Sequence, residues 1–375
     1  MRILNRLRNI LAQTAAYALL FLSKVYFFRS KQRIWLVTCD QYRWGDNADA
    51  FWRYMNRKQP MIRTIAIANN KPGKNMNKSW VRRNSFQSYL LILQAEVLAV
   101  THRFSDVGPN RIVSLAKGKK VWLQHGIIAI GKNLVGSKAR SDRGVDLICA
   151  SSDKEKQRIV EIFGIDPRIV SVTGLARHDV LIEKTSRGLE RSGILYIPTS
   201  RRWLVNNKAK CYDDLLFSWI GKINDSCIDT EIRLWIHPGW YEIGLGNLGS
   251  AFNNVDRYSL EHDPQELICE SKLMITDYSS TFFDAVLSGI PAILYQPDRS
   301  AYIEQIGLFE DFIDQDLLLV VEDEDELLRQ IELLMNNSEY YSKRLEKDKK
   351  WALSNVDSFD GRSCQRIYEE INNLL

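Results

Sequence analysis

Little in this sequence could hold it together covalently. Its 375 residues include six cysteines, at positions 39, 149, 211, 227, 269 and 364, none in Cys-x-x-Cys spacing and none with a histidine at zinc-finger distance. That excludes a disulfide-knot protein and reads as scattered, reduced thiols. Nine prolines and 20 glycines without a period exclude a collagen-like chain, and 45% hydrophobic residues exclude a disordered one. The Walker A phosphate fingerprint is missing. So is His-Glu-x-x-His, and no metal constellation is visible. The apolar run NILAQTAAYALLFLS, between Arg8 and Lys24, is 15 residues long. A helical bilayer span needs about 20.

Acidic residues are scarce at one end only. Residues 1–33 carry seven Lys/Arg and no acid. Residues 1–95 carry 17 Lys/Arg against Asp40, Asp46 and Asp49, a net of +14, whereas residues 96–375 carry 34 against 43, a net of −9. A basic quarter on an acidic body implies a fixed electrostatic face whose partner is anionic lipid, a phosphate-rich polymer or nucleic acid. Residues 1–33 read best as an amphipathic helix lying in the membrane interface, apolar side chains in the acyl region and cations on phosphates. A true span, a signal segment or a core helix are the other readings. The basic stretch 53–83 contains Trp80 and is directly preceded by Trp52, a mixture compatible with single-strand binding. No recognised nucleic-acid module accompanies it, so no nucleic-acid partner is expected.

Beyond Arg33 short β-rich runs alternate with helical patterns. IWLVTC (34–39), TIAIAN (64–69), KKVWLQHG (119–126), VDLICASS (145–152) and IVSVTG (169–174) read as strands, with NADAFWRYMNRK (47–58) and DKEKQRIVEIFG (153–164) as helices. SYLLILQAEVLAVTH (88–102) holds a helix and then a strand. The polar stretch TSRGLERSG (185–193) reads as a linker. After it the alternation resumes with ILYIPT (194–199), a helix around 211–223, IRLWIHPG (232–239), KLMITDYSS (272–280), a short helix TFFDAVLSG, PAILYQ (291–296) and the helix DEDELLRQIELLMNN (323–337). This pattern argues a parallel α/β sheet in each half. Ligands of such sheets sit at the carboxyl ends of the strands. That singles out Asp40, His125, Arg177, Thr199, His237 and Asp277.

His125, in VWLQHG, follows a strand and precedes Gly126, where backbone or ligand can approach closely. A histidine there can accept a proton near neutral pH, or it can be structural. His237 stands at the same strand-to-loop position in the other half, with Pro238 fixing the chain after it. In ITDYSSTFFDAVLSGIPAIL, the strand ending at Thr276 and Asp277 is followed by Tyr278, Ser279, Ser280 and Thr281, and then a helix opens. Free N–H groups at a helix start suit an anion and the hydroxyls add donors. Equally, one of these hydroxyls can simply cap the helix. Thr199, Ser200, Arg201 and Arg202 follow another strand as a phosphate clamp or a solvated loop. Arg177 and Asp179 are a cationic contact to an anion or a structural ion pair.

Together these segments resemble the CDP-glycerol glycerophosphotransferase family, the teichoic-acid primases and polymerases. The resemblance runs from Trp35 to Ile367 through seven pieces in order. They are GDNADAFWRYM, VWLQHG with Gln124 where Trp is usual, VTGLARHDVL with Ala176 for Pro and His178 for Asn, ILYIPTSRR with Ser200 for Trp, RLWIHPG, ITDYSSTFFDAVLSGIPAILYQPD, and FDGRSCQRI. The resemblance implies a GT-B-like fold: two doubly wound Rossmann-like domains facing a central cleft, with an N-terminal membrane-associating helix. The parts would be that helix (1–33), an acceptor-side domain (34–187), a nucleotide-donor domain (188–345) and a C-terminal helix (346–375) crossing back onto the first domain.

It also implies transfer of glycerol phosphate, or a related polyol phosphate, from CDP-glycerol to a hydroxyl of a polyprenyl-linked saccharide acceptor in wall or capsule synthesis, releasing CMP. The enzyme would sit peripherally on the cytoplasmic face of the membrane and need no cofactor and no metal. Carried over, His125 is the general base, beside Gly126, and His237 contacts the donor phosphates and the leaving CMP. Arg177 adds charge near the pyrophosphate, Thr199 and Arg201 hold the nucleotide, and Thr276, Asp277, Ser279, Ser280 and Thr281 form the phosphate seat. The alternatives are a GT-B glycosyltransferase using a sugar nucleotide and a non-catalytic protein that binds polyanions at a membrane surface.

Overall fold

Strand β1 (Ile34–Thr38) is buried along its whole length. An unbroken apolar run suits a parallel strand covered on both faces. A computed structural model of the chain describes residue 14 and residues 32–40, 44–72, 79–131, 144–188, 190–199, 201, 218–223, 230–236, 255–258, 263–313 and 317–375. Two compact units result, one comprising Met1–His125, Ser137–Val180 and Asp360–Leu375, the other Gly126–Gly136 and Leu181–Phe359.

In the first unit, β1 is followed by α1 (Asp46–Lys58), β2 (Arg63–Ala68), β3 (Trp80–Arg82), α2 (Phe86–Gln94), β4 (Val97–Val100), β5 (Lys119–Trp122), β6 (Leu147–Ala150), α3 (Asp153–Phe163), β7 (Val170–Val172) and α4 (Ala176–Thr185). The sheet order is β3-β2-β1-β4-β5-β6-β7, with every pairing parallel. Its core gathers Trp35, Val37, Phe51, Met55, Val97 and Val121. Local signals set the helix ends. The Ser152 hydroxyl accepts from the Glu155 N–H at 3.1 Å to start α3, and Gly164, left-handed at φ 63°, stops it.

The second unit holds β8 (Ser192–Tyr196), β9 (Ile232–Trp235), β10 (Val255–Tyr258), α5 (Pro264–Glu270), β11 (Ser271–Thr276), α6 (Thr281–Leu287), β12 (Ala292–Tyr295), α7 (Arg299–Gln305), β13 (Val320–Val321), α8 (Glu324–Asn336) and α9 (Ser338–Leu353). Its sheet, again all parallel, runs β10-β9-β8-β11-β12-β13. Both sheets therefore reverse direction once, between β1 and β4 and between β8 and β11. In open α/β sheets that reversal opens a crevice at the strands' carboxyl ends.

The C-terminal stretch 346–375, expected as one helix, is two. α9 belongs to the second unit, where Trp351 packs on Phe282, Phe283 and Phe312. α10 (Ser363–Leu374) lies in the first unit against α1 and β6. Its first N–H groups, Ser363 and Cys364, donate to the Asp179 carboxylate at 2.9 and 2.8 Å. An acid at a helix start satisfies orphan donors and meets the positive end of the dipole. Gly174, at φ +76°, lies so close that a Cβ there would stand 2.5 Å from the Ser363 hydroxyl. The expected linker at 185–193 falls between α4, which ends at Thr185, and the strand that begins at Ser192, while the two units part between Val180 and Leu181. The helix expected around 211–223 is described only at 218–223, which are helical. The membrane-associating segment 1–33 lies outside the described residues but for positions 14, 32 and 33. Among the described residues no helix is long and apolar enough to cross a membrane.

Candidate active site

Strand β5 ends at Trp122, buried Leu123 follows it, and Gln124 then turns the chain at a left-handed φ of 65°. Such a backbone is uncommon for a residue with a side chain and must be held by its surroundings. Asn47 holds it here. Its amide donates to the Gln124 carbonyl at 2.8 Å, and its side-chain oxygen accepts the Arg177 N–H at 2.9 Å. Asn47 thus ties the first turn of α1 to the end of β5 and the start of α4.

The turn presents His125. Its side chain is 47% exposed, and its Nδ1 lies 2.5 Å from the Asp46 carboxylate, which is 1% exposed. A carboxylate only accepts, so the ring donates through Nδ1 and Nε2 remains as the accepting nitrogen. The other Asp46 oxygen takes the buried Arg177 guanidinium at 2.8 Å. The same guanidinium nitrogen also reaches the His125 carbonyl. Asp46 itself stands at φ 58° on entry to α1. A half-exposed imidazole is therefore fixed in one tautomer by a buried, charge-balanced carboxylate. On its other side the His102 ring lies against it, with centroids 4.1 Å apart. Half-buried Gly126 follows.

Arg177 was read from the sequence either as an anion contact or as a partner of Asp179. It pairs with Asp46, while Asp179 caps α10. Asp46 and Asn47 were missed as site residues. Their only signal was the Gly-Asp-Asn immediately before a helical pattern.

The second sheet brings another group together at its reversal point. The Thr199 N–H and hydroxyl, after β8, both donate to Asp277, after β11, the hydroxyl at 2.5 Å. The Tyr278 N–H donates to the same carboxylate at 2.6 Å. Arg201 is fully buried, pairing with Asp277 and Asp298 at 2.8 Å each and donating to the Thr199 carbonyl at 2.7 Å. It lies over the rings of Tyr278 and Tyr302, 4.8 and 5.2 Å from their centroids, and those rings stack 3.5 Å apart. Burial, followed by the Asp298 charge, pushes the Tyr278 hydroxyl well above its ordinary range. Arg201 is thus committed to the loop that carries Thr199. The buried Thr276 hydroxyl donates to the Ile197 carbonyl at 2.8 Å, tying the same two strands.

Ser279, Ser280 and Thr281 are half-buried. Ser279 accepts from the Thr281 hydroxyl at 2.9 Å, and Ser280, at the cap position of α6, makes no side-chain cap bond. His237, Ser200 and Arg202 lie outside the described residues. Two Asp-x-Asp spacings also occur. Asp314 and Asp316 lie outside the described residues. Asp323 caps α8 by accepting from the Glu326 N–H, and Asp325 meets Lys222 at 3.3 Å.

A sequence model described as CDP-Glycerol:Poly(glycerophosphate) glycerophosphotransferase matches residues 19–373. The chain belongs to this glycerophosphotransferase family. Over 256 residues it is 21% identical to the teichoic acid poly(ribitol-phosphate) polymerase of Bacillus spizizenii, covering 62% of this chain and 38% of that protein. Over 179 residues it is 26% identical to the teichoic acid glycerol-phosphate primase of Staphylococcus aureus, covering 44% and 43%. It therefore spans about two-fifths of the length of these two relatives.

Among solved structures, the wall teichoic acid polymerase TagF superimposes with a TM-score of 0.71 at 20% identity over 99% of both chains. A variant of that polymerase soaked with CDPG gives 0.69 at 19%, over 99% of this chain and 97% of the other. The UDP-GlcNAc 2-epimerase of Methanocaldococcus jannaschii gives 0.57 at 14%, over 91% and 100%. At these identities the likeness speaks to fold, and the α/β architecture with parallel sheets is common to all three.

Proposed function

We propose that this glycerophosphotransferase-family chain moves glycerol phosphate, or a related polyol phosphate, from CDP-glycerol to a hydroxyl of a membrane-linked, teichoic-acid-like saccharide acceptor and releases CMP. The observation that carries this reading is the half-exposed His125 imidazole, held through Nδ1 by buried Asp46 at the carboxyl end of β5. Transfer forms a bond between the acceptor oxygen and phosphorus of the glycerol phosphate. It breaks that phosphorus's bond to the bridging oxygen, which leaves with CMP and its electron pair. The acceptor proton passes to Nε2 of His125. A positioned base supplies about 10²–10⁴ of the rate, and the rest comes from orientation and from donors aimed at phosphate oxygens.

Unit by unit, the reading is GT-B-like: the acceptor side in the first sheet, the nucleotide side in the second. The single direction reversal of each sheet and the likeness to TagF support it. His237 contacts the donor phosphates, and Ser279, Ser280 and Thr281 hold phosphate oxygens. Thr199, Thr276, Asp277 and Arg201 shape the loop that receives the nucleotide. Arg177 acts from within, as the counter-charge of Asp46.

Incubation with CDP-glycerol and a defined lipid-linked acceptor is expected to release CMP, and mass spectrometry of the product identifies the added unit. A bound ligand raises apparent stability, so CMP and CDP are expected to raise the melting temperature. Stabilisation by UDP but by neither cytidine nucleotide would overturn this reading in favour of a sugar-nucleotide transferase.

The acceptor places the reaction at a membrane, and the acid-free 1–33 segment is the proposed anchor to its cytoplasmic face. Deletion of residues 1–33 is expected to release the protein from anionic vesicles in a flotation assay. Undiminished flotation of the truncated chain would rule the anchor out.

A further inference from the structure

The direction reversal of the first sheet carries a second cluster. Cys39 and Asp40 follow β1, and His102 follows β4, the strand paired beside it. The Cys39 sulfur, an Asp40 carboxylate oxygen and a His102 ring nitrogen all lie within 4.8 Å of one another. Cys39 is buried and the other two are half-buried. The Thr101 hydroxyl stands 2.8 Å from His102 Nδ1 and 3.5 Å from the Cys39 sulfur. In sequence Thr101 and Cys39 are 62 residues apart, so no metal-ligand spacing shows there.

One thiolate, one imidazole and one carboxylate form the donor set of a borderline-soft, four-coordinate cation. Zn²⁺ takes sulfur at about 2.3 Å, nitrogen at about 2.0–2.1 Å and carboxylate oxygen at about 2.0–2.2 Å. Bonds of that length set the ligand atoms about 3.5 Å apart, so the three side chains need only draw together slightly. Mg²⁺ and Ca²⁺ require a shell of oxygens, and this cluster offers one carboxylate. The Thr101 hydroxyl, bonded to a ring nitrogen of His102, is the kind of outer partner that fixes the orientation of a ligating histidine. The other described cysteines have no such company. Burial pushes the Cys149 thiol up to about 12 and the Cys269 thiol up to about 11.

We propose that Cys39, Asp40 and His102 form a site for a thiophilic divalent cation, Zn²⁺ in first place, at the β1–β4 reversal. The metal would bind at most three protein ligands there and keep a fourth position for water. It would hold in place the ring that lies against His125.

The test uses the full-length, metal-stripped protein. Dialysis against Zn²⁺ with elemental analysis is expected to give one bound ion per chain, retained in excess Mg²⁺. Titration with Co²⁺ is expected to give a thiolate-to-cobalt charge-transfer band. Cys39→Ser should abolish that band, and His102→Ala and Asp40→Asn should each weaken Zn²⁺ binding by at least about tenfold, the lower end of what loss of even an outer partner costs. Circular dichroism of each metal-free variant confirms folding, and Asp40→Asn and His102→Ala carry the test should Cys39→Ser fail to fold. Wild-type protein that binds no Zn²⁺ overturns the proposal. So do variants that bind as wild type does, since Cys211 and Cys227 remain in all of them and would then be holding the ion.

Discussion

His125→Ala is expected to slow CMP release from CDP-glycerol by about 10²–10⁴-fold, the range a positioned general base supplies. Affinity for CMP, measured by calorimetry, should stay within about threefold. The loss should be one of chemistry and not of folding. The His125 side chain is half exposed, and the buried Asp46–Arg177 pair beneath it survives the substitution. Asp46→Asn probes the same assembly from behind. An amide can offer Nδ1 either an acceptor or a donor, so the fixed tautomer is lost while the shape is kept. Turnover should fall nearly as far as in His125→Ala, with KM for CDP-glycerol little changed.

Asp46→Asn also strips Arg177 of its carboxylate. Removing one member of a buried pair costs about 3–5 kcal/mol, so its kinetics belong at a temperature where the variant is folded. Wild-type turnover in His125→Ala removes it as the base. Wild-type turnover in a folded Asp46→Asn removes Asp46 as the residue that positions it.

The sequence carries the central strands of both sheets because their signal is local. IWLVT, LICA and AILY are short, unbroken apolar runs with every residue buried, as parallel strands covered on both faces require. β3, β10 and β13 are edge strands of two to four residues. They exist because a neighbour offers a free ladder, and no pattern of their own announces them. The break between α9 and α10 was illegible for a like reason. What fixes the start of α10 is Asp179, 184 residues away from the Ser363 N–H that it accepts.

The site divides in the same way. His125, Arg177, Thr199 and Asp277 were found because each directly follows a strand or its turn, a rule that depends only on local sequence. Asp46 was not, since it follows no strand directly and reaches His125 only through a 79-residue separation closed by the sheet. Left-handed backbone at Asp46 and Gln124, neither of them glycine, is likewise a product of the contacts made by Asn47 and Arg177. Nothing local predicts it.

Arg201→Met is expected to lower the stability of the second unit by about 3–5 kcal/mol, the cost of leaving a buried charge without its partner. For a unit of this size that is a fall of roughly 10 °C in melting temperature. The side chain is fully buried, and its loss takes from Asp277 and Asp298, themselves 1% and 10% exposed, the guanidinium that bridges them. The apolar stem of methionine still fills the slot against Tyr278 and Tyr302, so the cost is electrostatic more than a cavity. Arg201→Lys keeps the charge but cannot fork between two carboxylates while reaching the Thr199 carbonyl. It should fall between wild type and Arg201→Met.

The two readings of Arg201 separate on stability. A nucleotide ligand would lose CMP affinity with little change in melting temperature. An arginine that holds the Thr199 loop loses both together, and the lysine variant restores both in proportion. A stable Arg201→Met protein with weakened CMP binding would return Arg201 to the role of direct phosphate contact. The burial of its guanidinium between two carboxylates and two tyrosine rings argues for the loop.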